Sequence, residues 1–456
     1  MKLVRKMLLS SIAVLVALPL LYVGPQDITA AATPTVKEIS VALPLREGKL
    51  MEEDRIRQLA NVHIDHYLAQ DMQTHGMQLR TADTFLDVYD VSGNLFAYLV
   101  PLLDGALEVG YITIGALEDG YDAYDIFIGD GVVDQLRAQL KEKSQDAEAQ
   151  LVLIPPMQYL IKSLAAGSET FTSVTLDENR PPEDVTDRVQ DNRAEINHLY
   201  SLIRSEENRL HMERNSAINA AGSFTGERAS VEASAVVMAA VTKEDYALST
   251  ERNFDNFVPV EYTTGRYSYG GNQMWWPDGG QKENRGCGPV AAANITAYLA
   301  KVTNPSKYGK LYTKSITNYT DFLGHMDTMY SYISPGPFGE TSVSSFSSAV
   351  EKYAKDKNVT LNRVKSNASF TLDNTAAYVK AGLAINSPVA TLNLSKFSNY
   401  QYEWHWMTIT KYYRDTNDNR WIAVSTWGQR RSINYRTHFN AIDSFFSLGG
   451  GFMYFK

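Results

Sequence analysis

The chain has 456 residues, which is too long for one ordinary domain and predicts two or three. An apolar share of 44% and an aromatic share of 11% are enough to build cores, so global disorder is excluded. The formal net charge is −9, and no basic run with interleaved aromatic residues indicates nucleic-acid binding.

Residues 1–32 have the order of a secretory signal peptide. Three basic side chains stand within the first six residues, residues 7–23 form an uncharged apolar run, and residues 30–32 are alanines suited to cleavage. An uncleaved membrane anchor is the alternative, because the run is near the lower limit for spanning a bilayer. The protein is therefore expected to be exported, secreted or associated with the cell wall, and free of the membrane after signal cleavage.

Residues 45–165 are expected to form a small α+β domain. Residues 52–77 carry apolar side chains near helical spacing. A Ser-Gly-Asn turn between two β-rich runs predicts a hairpin over residues 84–103, and two further strands are expected at residues 105–117 and 121–129. A helix followed by a strand meander is typical of this fold class.

Two segments of different composition follow this domain. Residues 181–216 are polar and charged, with apolar side chains at steps of three and four, which predicts a solvated helical segment. Residues 217–255 are rich in Ala, Ser, Gly, Thr and Glu and have few large side chains. That composition buries little surface, so a flexible linker and the processing site are expected there.

The last domain, residues 257–456, has helical patterns first and strand patterns last. Helices are expected from residue 287 and over residues 341–357 and 374–383. Strands are expected at residues 388–394, 404–414, 421–428 and 450–455. The order predicts an α+β fold with the only thiol on its helical side.

Charge is divided unevenly along the chain. Residues 258–456 hold 21 Lys and Arg against 13 Asp and Glu, whereas residues 1–257 hold 22 against 39. The split suggests that an acidic first half covers a basic second half, although two independently solvated surfaces would give the same counts.

Cys287 is the single cysteine, so no intramolecular disulfide can form, which suits export from a bacterium without an oxidising folding compartment. It follows a Gly-rich loop and opens a helix, where unpaired N–H groups and the positive end of the helix dipole favour a thiolate. Gly286 and Gly288 allow a tight turn, and Pro289 suits the first helical turn. The structural alternative is a buried cysteine that packs against a sheet.

The segment from Gln281 to Asn294 resembles the active-site segment of papain-like cysteine peptidases. The similarity is greatest to the bacterial branch with double-glycine-leader peptidase-like and streptopain-like enzymes. In that family a glutamine six positions before the cysteine supplies an oxyanion-hole donor, and Gln281 stands at that position. The resemblance covers residues 257–456 and implies a papain-like C-terminal domain, with a helical lobe that carries the nucleophile helix and an antiparallel sheet.

The resemblance also implies which histidine is the base. His405 lies between two tryptophans at the head of an apolar strand, and in the family the catalytic histidine opens such a strand. Without the resemblance, a histidine in this setting is more often a packed core residue. The family then places Asn or Asp on the next strand to orient the imidazole, and Ser425 occupies that position here. Trp427 would shield His405 from water or serve as a core aromatic residue.

The other histidines and acidic residues are assigned no role in catalysis. His63 and His66 lie in the N-terminal helix without a recognisable third ligand, so no metal site is predicted. His325 and His438 are expected in surface loops, and Asp415 and Asp418 in a turn that points to solvent. No cofactor is expected.

By resemblance, the chain is expected to be a secreted cysteine endopeptidase made as a precursor. His405 would take the thiol proton, Cys287 would attack the carbonyl of a peptide or protein substrate, and Gln281 would hold the oxyanion. The N-terminal domain is loosely similar to propeptide or inhibitor domains, which implies an intramolecular inhibitor.

Two other functions are compatible with the same residues. The Cys–His pair could act on other amides, as in a peptidoglycan amidase or transamidase. The departure from the family pattern at Ser425 also leaves open a catalytically inert papain-like module that binds at the cell surface or spore coat.

Overall fold

The computed structural model describes residues 49–118, 120–145, 148–165, 167–174, 176, 182–202, 211, 242–277, 280–336, 341–393, 405–442 and 451–456. The predicted signal peptide and residues 217–241 of the predicted linker lie outside these ranges. Within the ranges, no helix combines the length and the apolar character that are needed to cross a lipid bilayer.

The N-terminal half, which we define as the described residues from 49 to 202, contains the predicted hairpin and a helix that ends at His66, short of the expected end near residue 77. Its elements are α1 (Glu53–His66), β1 (Leu79–Thr81), β2 (Leu86–Tyr89), β3 (Leu95–Asp104), β4 (Leu107–Gly115), β5 (Ala123–Ile128), α2 (Val132–Lys143), β6 (Glu148–Ile154), β7 (Gln158–Ala165), β8 (Ser168–Ser173), α3 (Thr186–Asp191) and α4 (Arg193–Leu202). Asp90 holds the predicted turn, because its carboxylate accepts the backbone N–H groups of Ser92 and Asn94. Strand β8 pairs with β7, so the folded unit continues past the expected boundary at residue 165.

The C-terminal half, the described residues from 242 to 456, has the predicted helices and strands and two further long elements. It comprises β9 (Glu244–Ala247), α5 (Ser249–Arg252), β10 (Glu261–Thr263), β11 (Arg266–Tyr267), α6 (Gln281–Arg285), α7 (Cys287–Tyr298), α8 (Pro305–Tyr308), α9 (Tyr319–Ile333), α10 (Val343–Asp356), α11 (Leu372–Ala384), β12 (Val389–Asn393), β13 (His405–Arg414), β14 (Arg420–Thr426), β15 (Gln429–Asn434), α12 (Tyr435–Asn440) and β16 (Phe452–Met453). Helix α9 and strand β15 were not predicted.

One mixed sheet of fourteen described strands runs through both halves. Its order is β16-β12-β13-β14-β15-β5-β4-β3-β2-β6-β7-β8, with β1 beside β3 and β9 beside β13. The two halves join where β15 pairs antiparallel with β5, with Ser432 opposite Ile126 and Ile433 opposite Asp125. The chain therefore has an α+β fold, and its sheet continues from one half into the other.

The end of the predicted linker is part of this sheet. Strand β9 pairs with β13, from Glu244 opposite Arg414 to Ala247 opposite Lys411, and Leu248 is fully buried. The prediction of a flexible linker is thus wrong for residues 244–252. Amino-acid composition could not show that these residues form regular structure, because they are held by main-chain pairing with β13, a strand far along the chain.

Acidic and basic side chains meet at the junction of β5 and β15. Arg431 donates from Nη2 to Oδ2 of Asp125 at 2.6 Å, and Asn434 donates from Nδ2 to Oδ1 of Asp122 at 2.6 Å. All four side chains are buried. Here the acidic partners come from the N-terminal half and the basic partner from the C-terminal half. The first half of the sequence is likewise the acidic one and the second half the basic one.

Candidate active site

Helix α7 places Cys287 at its first residue. The helix is buried on all sides, since residues from Val290 to Tyr298 are at most 7% exposed, as expected for an apolar, Ala-rich segment. It packs against β13 of the sheet. A side chain at Gly286, the residue before Cys287, would overlap the ring of Trp276 and the carbonyl of Lys282, so only glycine fits there.

The thiol of Cys287 is half-buried and faces three backbone N–H groups. Burial raises the pKa of the Cys287 thiol, and hydrogen bonds from the N–H groups of Trp406, Gly288 and Cys287 itself lower it without cancelling the effect of burial. Two of these donors belong to the first turn of α7, as the dipole argument requires. By itself the thiol is a poor nucleophile near neutral pH, so it needs a cationic partner to become a thiolate.

His405 opens β13 and supplies the imidazole at this site. Its ring is buried, and its Nε2 lies 2.8 Å from Oγ1 of Thr426. The indole of Trp427 stacks on the imidazole, with ring centroids 4.2 Å apart and planes 16° from parallel. Because the N–H of Trp406, the next residue, reaches the Cys287 sulfur, the structure brings the head of β13 to the thiol.

The turn that carries Trp427 has an unusual backbone. Strands β14 and β15 are joined by Trp427 and Gly428 alone, whose φ angles are +45° and +72°. Positive φ at both central residues matches the twist of a two-residue hairpin, but it is unfavourable for a bulky residue such as Trp427. Strain of this kind is tolerated where the surroundings fix it, and it is found at functional sites.

Thr426, which the sequence did not single out, takes the place expected for Ser425. The hydroxyl of Ser425 donates to the carbonyl of Tyr269 at 2.6 Å, while Thr426 contacts His405. Neighbouring residues in a strand face opposite sides of a sheet, so the register of β13 and β14 decides which of them meets the imidazole. That pairing contains an irregularity between Ile409 and Lys411, which no sequence pattern revealed.

Gln281 is the first residue of α6, the short helix that ends one residue before Gly286. Its position before α7 is the one that the resemblance requires. Its role as an oxyanion donor stays a prediction.

Two histidines expected at the surface are buried within helices. His325 lies in α9, where its Nε2 is 2.9 Å from Oγ1 of Thr296, and His438 lies in α12, where its Nε2 is 2.8 Å from Oγ1 of Thr391. Burial lowers the pKa of each histidine to about 3, so both are neutral. The expectation that His325 and His438 lie in surface loops was wrong. The sequence around each histidine is polar, but the threonine that it contacts in the interior lies far along the chain.

The histidines of α1 also have structural partners. Burial lowers the pKa of His63 to about 4, and its ring packs edge-on against Trp421. His66 lies 3.3 Å from the carboxylate of Asp415, which raises the pKa of His66. Across the part of the chain that the structure describes, no group of three or more His, Cys, Asp or Glu could hold a metal ion.

Asp415 and Asp418 are buried rather than directed to solvent. Oδ1 of Asp415 accepts the N–H groups of Asn417 and Asn419, and Oδ1 of Asp418 accepts Nε of Arg420 at 3.0 Å. Burial would raise the pKa of Asp418, but nearby arginines hold it far below its usual value. These carboxylates organise the turn between β13 and β14 and contribute nothing to the site at Cys287.

Comparison with family models and curated proteins assigns no function to this chain, so a function is inferred from the site. No protein-family model matches the chain, and no curated protein matches it significantly. The fold and the site together define a mixed α+β protein in which a half-buried thiol at a helix N-terminus meets the head of a strand that carries a histidine.

Proposed function

We propose that this chain is an exported cysteine peptidase of the papain-like type, in which Cys287 is the nucleophile and His405 the base. The observation that carries the proposal is the convergence of Cys287 at the start of α7 with His405 at the start of β13, next to Thr426 and under Trp427. The base contacts its orienting group Thr426, and the N–H of Trp406, the residue after the base, reaches the sulfur of the nucleophile. Acyl transfer requires a nucleophile, a base and an orienting group in this order.

In the proposed reaction, the thiol proton moves to Nδ1 of His405, because Nε2 of the same ring is held by Thr426. The sulfur attacks the peptide carbonyl, and the oxyanion is held by the Cys287 N–H and by Gln281. The imidazolium then gives its proton to the leaving amine, and a thioester remains. Water hydrolyses the thioester and restores the thiol and the neutral imidazole.

The catalytically inert module is the second candidate, and one observation favours it. Burial raises the pKa of the Cys287 thiol, whereas a peptidase needs the thiolate near neutral pH. An ion pair with the His405 imidazolium would reverse that direction.

The pH dependence of Cys287 alkylation by iodoacetamide tests the proposed function. A thiolate–imidazolium pair is expected to keep the rate nearly constant down to about pH 6, below the usual thiol pKa of about 8.5. A rate that falls tenfold per pH unit below pH 8 would leave only the inert module. Cys287 is the single cysteine, so the measured rate belongs to one thiol.

The same labelling tests the inhibitor role predicted for the N-terminal half. Labelling by a peptidase-directed thiol probe that appears only after the chain is cut between residues 217 and 241 supports inhibition. Labelling before and after the cut keeps the catalytic proposal and removes the inhibitor role.

Thr426→Val is expected to lower the hydrolysis rate on the order of 10²-fold, because the methyl group cannot hold Nε2 of His405 and the ring loses its alignment. The measurement is hydrolysis of fluorescein-labelled casein. Thr408→Val is the matched control, since Thr408 is a fully buried threonine of β13 whose hydroxyl makes no hydrogen bond with the described residues. Equal losses in both variants would contradict the role of Thr426.

A further inference from the structure

We propose that Asp71, in the N-terminal half, is a positioning residue for the candidate active site. It acts through Arg430, Glu251 and Tyr269 on the turn between β14 and β15. The inference rests on the proposed function, and it gives the N-terminal half a task that the sequence did not indicate.

The first step is an ion pair that crosses from one half to the other. Arg430 of β15 donates from Nη2 to Oδ2 of Asp71 at 2.7 Å and to Oε2 of Glu251 at 2.9 Å, and its Nε donates to Oε1 of Glu251 at 2.9 Å. All three side chains are at most 1% exposed. The guanidinium is thus fixed between one carboxylate from each half.

The second step leads from Glu251 to Tyr269. The Tyr269 hydroxyl donates to Oε1 of Glu251 and lies 2.8 Å from Oγ1 of Thr410, on the strand that His405 opens. Thr410 donates in turn to Oε1 of Glu251 at 2.7 Å. Glu251 therefore connects Arg430 with both Tyr269 and β13.

The third step is the contact of Tyr269 with the active-site turn. Its carbonyl accepts the Ser425 hydroxyl at 2.6 Å, and its N–H donates to the carbonyl of Gly428 at 2.7 Å. Ser425 and Gly428 directly flank Thr426 and Trp427. A displacement of Tyr269 would therefore shift both side chains that contact the His405 ring.

Asp71 is the member of this network that the N-terminal half provides. Lys411 lies 3.6 Å from the same carboxylate, so Asp71 balances two buried cations. Without its charge, the guanidinium would have Glu251 as its only carboxylate partner in this ion pair and would be drawn toward it. We expect that shift to pass to Tyr269 and to the turn, because packed interiors transmit displacements.

Asp71→Asn, made in the full chain, tests the inference. The expected result is a loss of casein hydrolysis per folded molecule of between about 10- and 100-fold. The alkylation profile of Cys287 with iodoacetamide is the second readout. Its rate at pH 6 is expected to fall while its rate at pH 9 stays unchanged, because only the low-pH rate depends on the alignment of His405. Tyr269→Phe keeps the ring and the backbone contacts and should show the same shift to a smaller extent.

Asp125→Asn is the matched control. Asp125 makes another buried ion pair between the halves, with Arg431, but has no place in the network that ends at the turn. It should lower stability as Asp71→Asn does and leave the alkylation profile unchanged. Equal profiles for wild type and Asp71→Asn, or equal shifts in Asp71→Asn and Asp125→Asn, overturn the inference alone. A wild-type protein with neither hydrolysis nor alkylation at pH 6 overturns the proposed function as well.

Discussion

Replacement of Cys287 by alanine is expected to abolish hydrolysis while the protein stays folded. In the proposed mechanism the acyl intermediate forms on the sulfur, so hydrolysis cannot proceed without it. The half-buried position loses a single atom, and the packing of α7 should tolerate the change. Casein hydrolysis would fall to the background rate. The urea midpoint of the variant should stay close to that of wild type.

The same variant shows whether the chain processes itself. If the proposed peptidase cuts its own precursor, Cys287→Ala should accumulate at full length during expression. Processing that continues in the variant would identify another protease as the cutting enzyme. Hydrolysis at the wild-type rate by the purified Cys287→Ala variant would contradict the assignment of Cys287 as the nucleophile.

Arg430→Met is expected to produce the largest loss of stability, about 3–5 kcal/mol in the free energy of unfolding. The change removes a cation that is 1% exposed and leaves Asp71 and Glu251 as buried carboxylates without it. Burial alone would raise the pKa of Asp71, but Arg430 and Lys411 outweigh it, so that the pKa lies below its usual value. The measurement is urea unfolding at pH 7.

The loss should shrink as the pH falls below about 3.9, the usual pKa of an unfolded aspartate. In the wild type the depressed pKa of Asp71 stabilises the fold only above the pKa of an unfolded aspartate, about 3.9, and that contribution is lost at lower pH. Arg137→Met is the control, because Arg137 pairs with Glu108 on the surface and is 38% exposed. Its loss should stay below about 1 kcal/mol. Similar losses of unfolding free energy in Arg430→Met and Arg137→Met would contradict the prediction that the buried ion pairs of Arg430 stabilise the fold more than a surface pair does.

Buried ion pairs join the N-terminal half to the C-terminal half, whereas a domain that only covered the site could be detached. Its strand β5 continues the sheet of the C-terminal half, and Trp421 of β14 packs in the same apolar cluster as Ile56 and Leu59 of α1. Removal of the half would expose that tryptophan and the edge of β15, and it would leave Arg430 and Arg431 without their acidic partners across the junction. A cut in the linker region need not separate the halves.

Local patterns were sufficient for the elements that carry the proposed nucleophile and base. Helix α7 follows from its Ala-rich sequence and the Gly-Cys-Gly-Pro start, and strands β13 and β14 follow from their β-branched and aromatic runs. The positions of Cys287 and His405 were singled out by resemblance to a family segment. That Cys287 and the strand of His405 lie close together in space could be seen only from the fold.

Strand β15 shows where local reasoning ended. Its sequence, Gln-Arg-Arg-Ser-Ile-Asn, has the composition of a solvated turn, yet Arg430 and Arg431 are both buried. Arginine is rarely buried unless it is paired, and here the partners Asp71 and Asp125 stand more than 300 positions earlier in the chain.

The sequence by itself therefore determined the α+β fold class and most of the regular elements, because periodicity, helix-start residues and turn residues act over a few positions. The candidate Cys–His pair came from the resemblance to a family segment. The tertiary structure alone decided that Thr426 rather than Ser425 meets His405, that residues 244–252 are ordered, and that one sheet joins the two halves. Each of these depends on strand register or on buried charge pairing between distant segments, and no window of the sequence contains both partners.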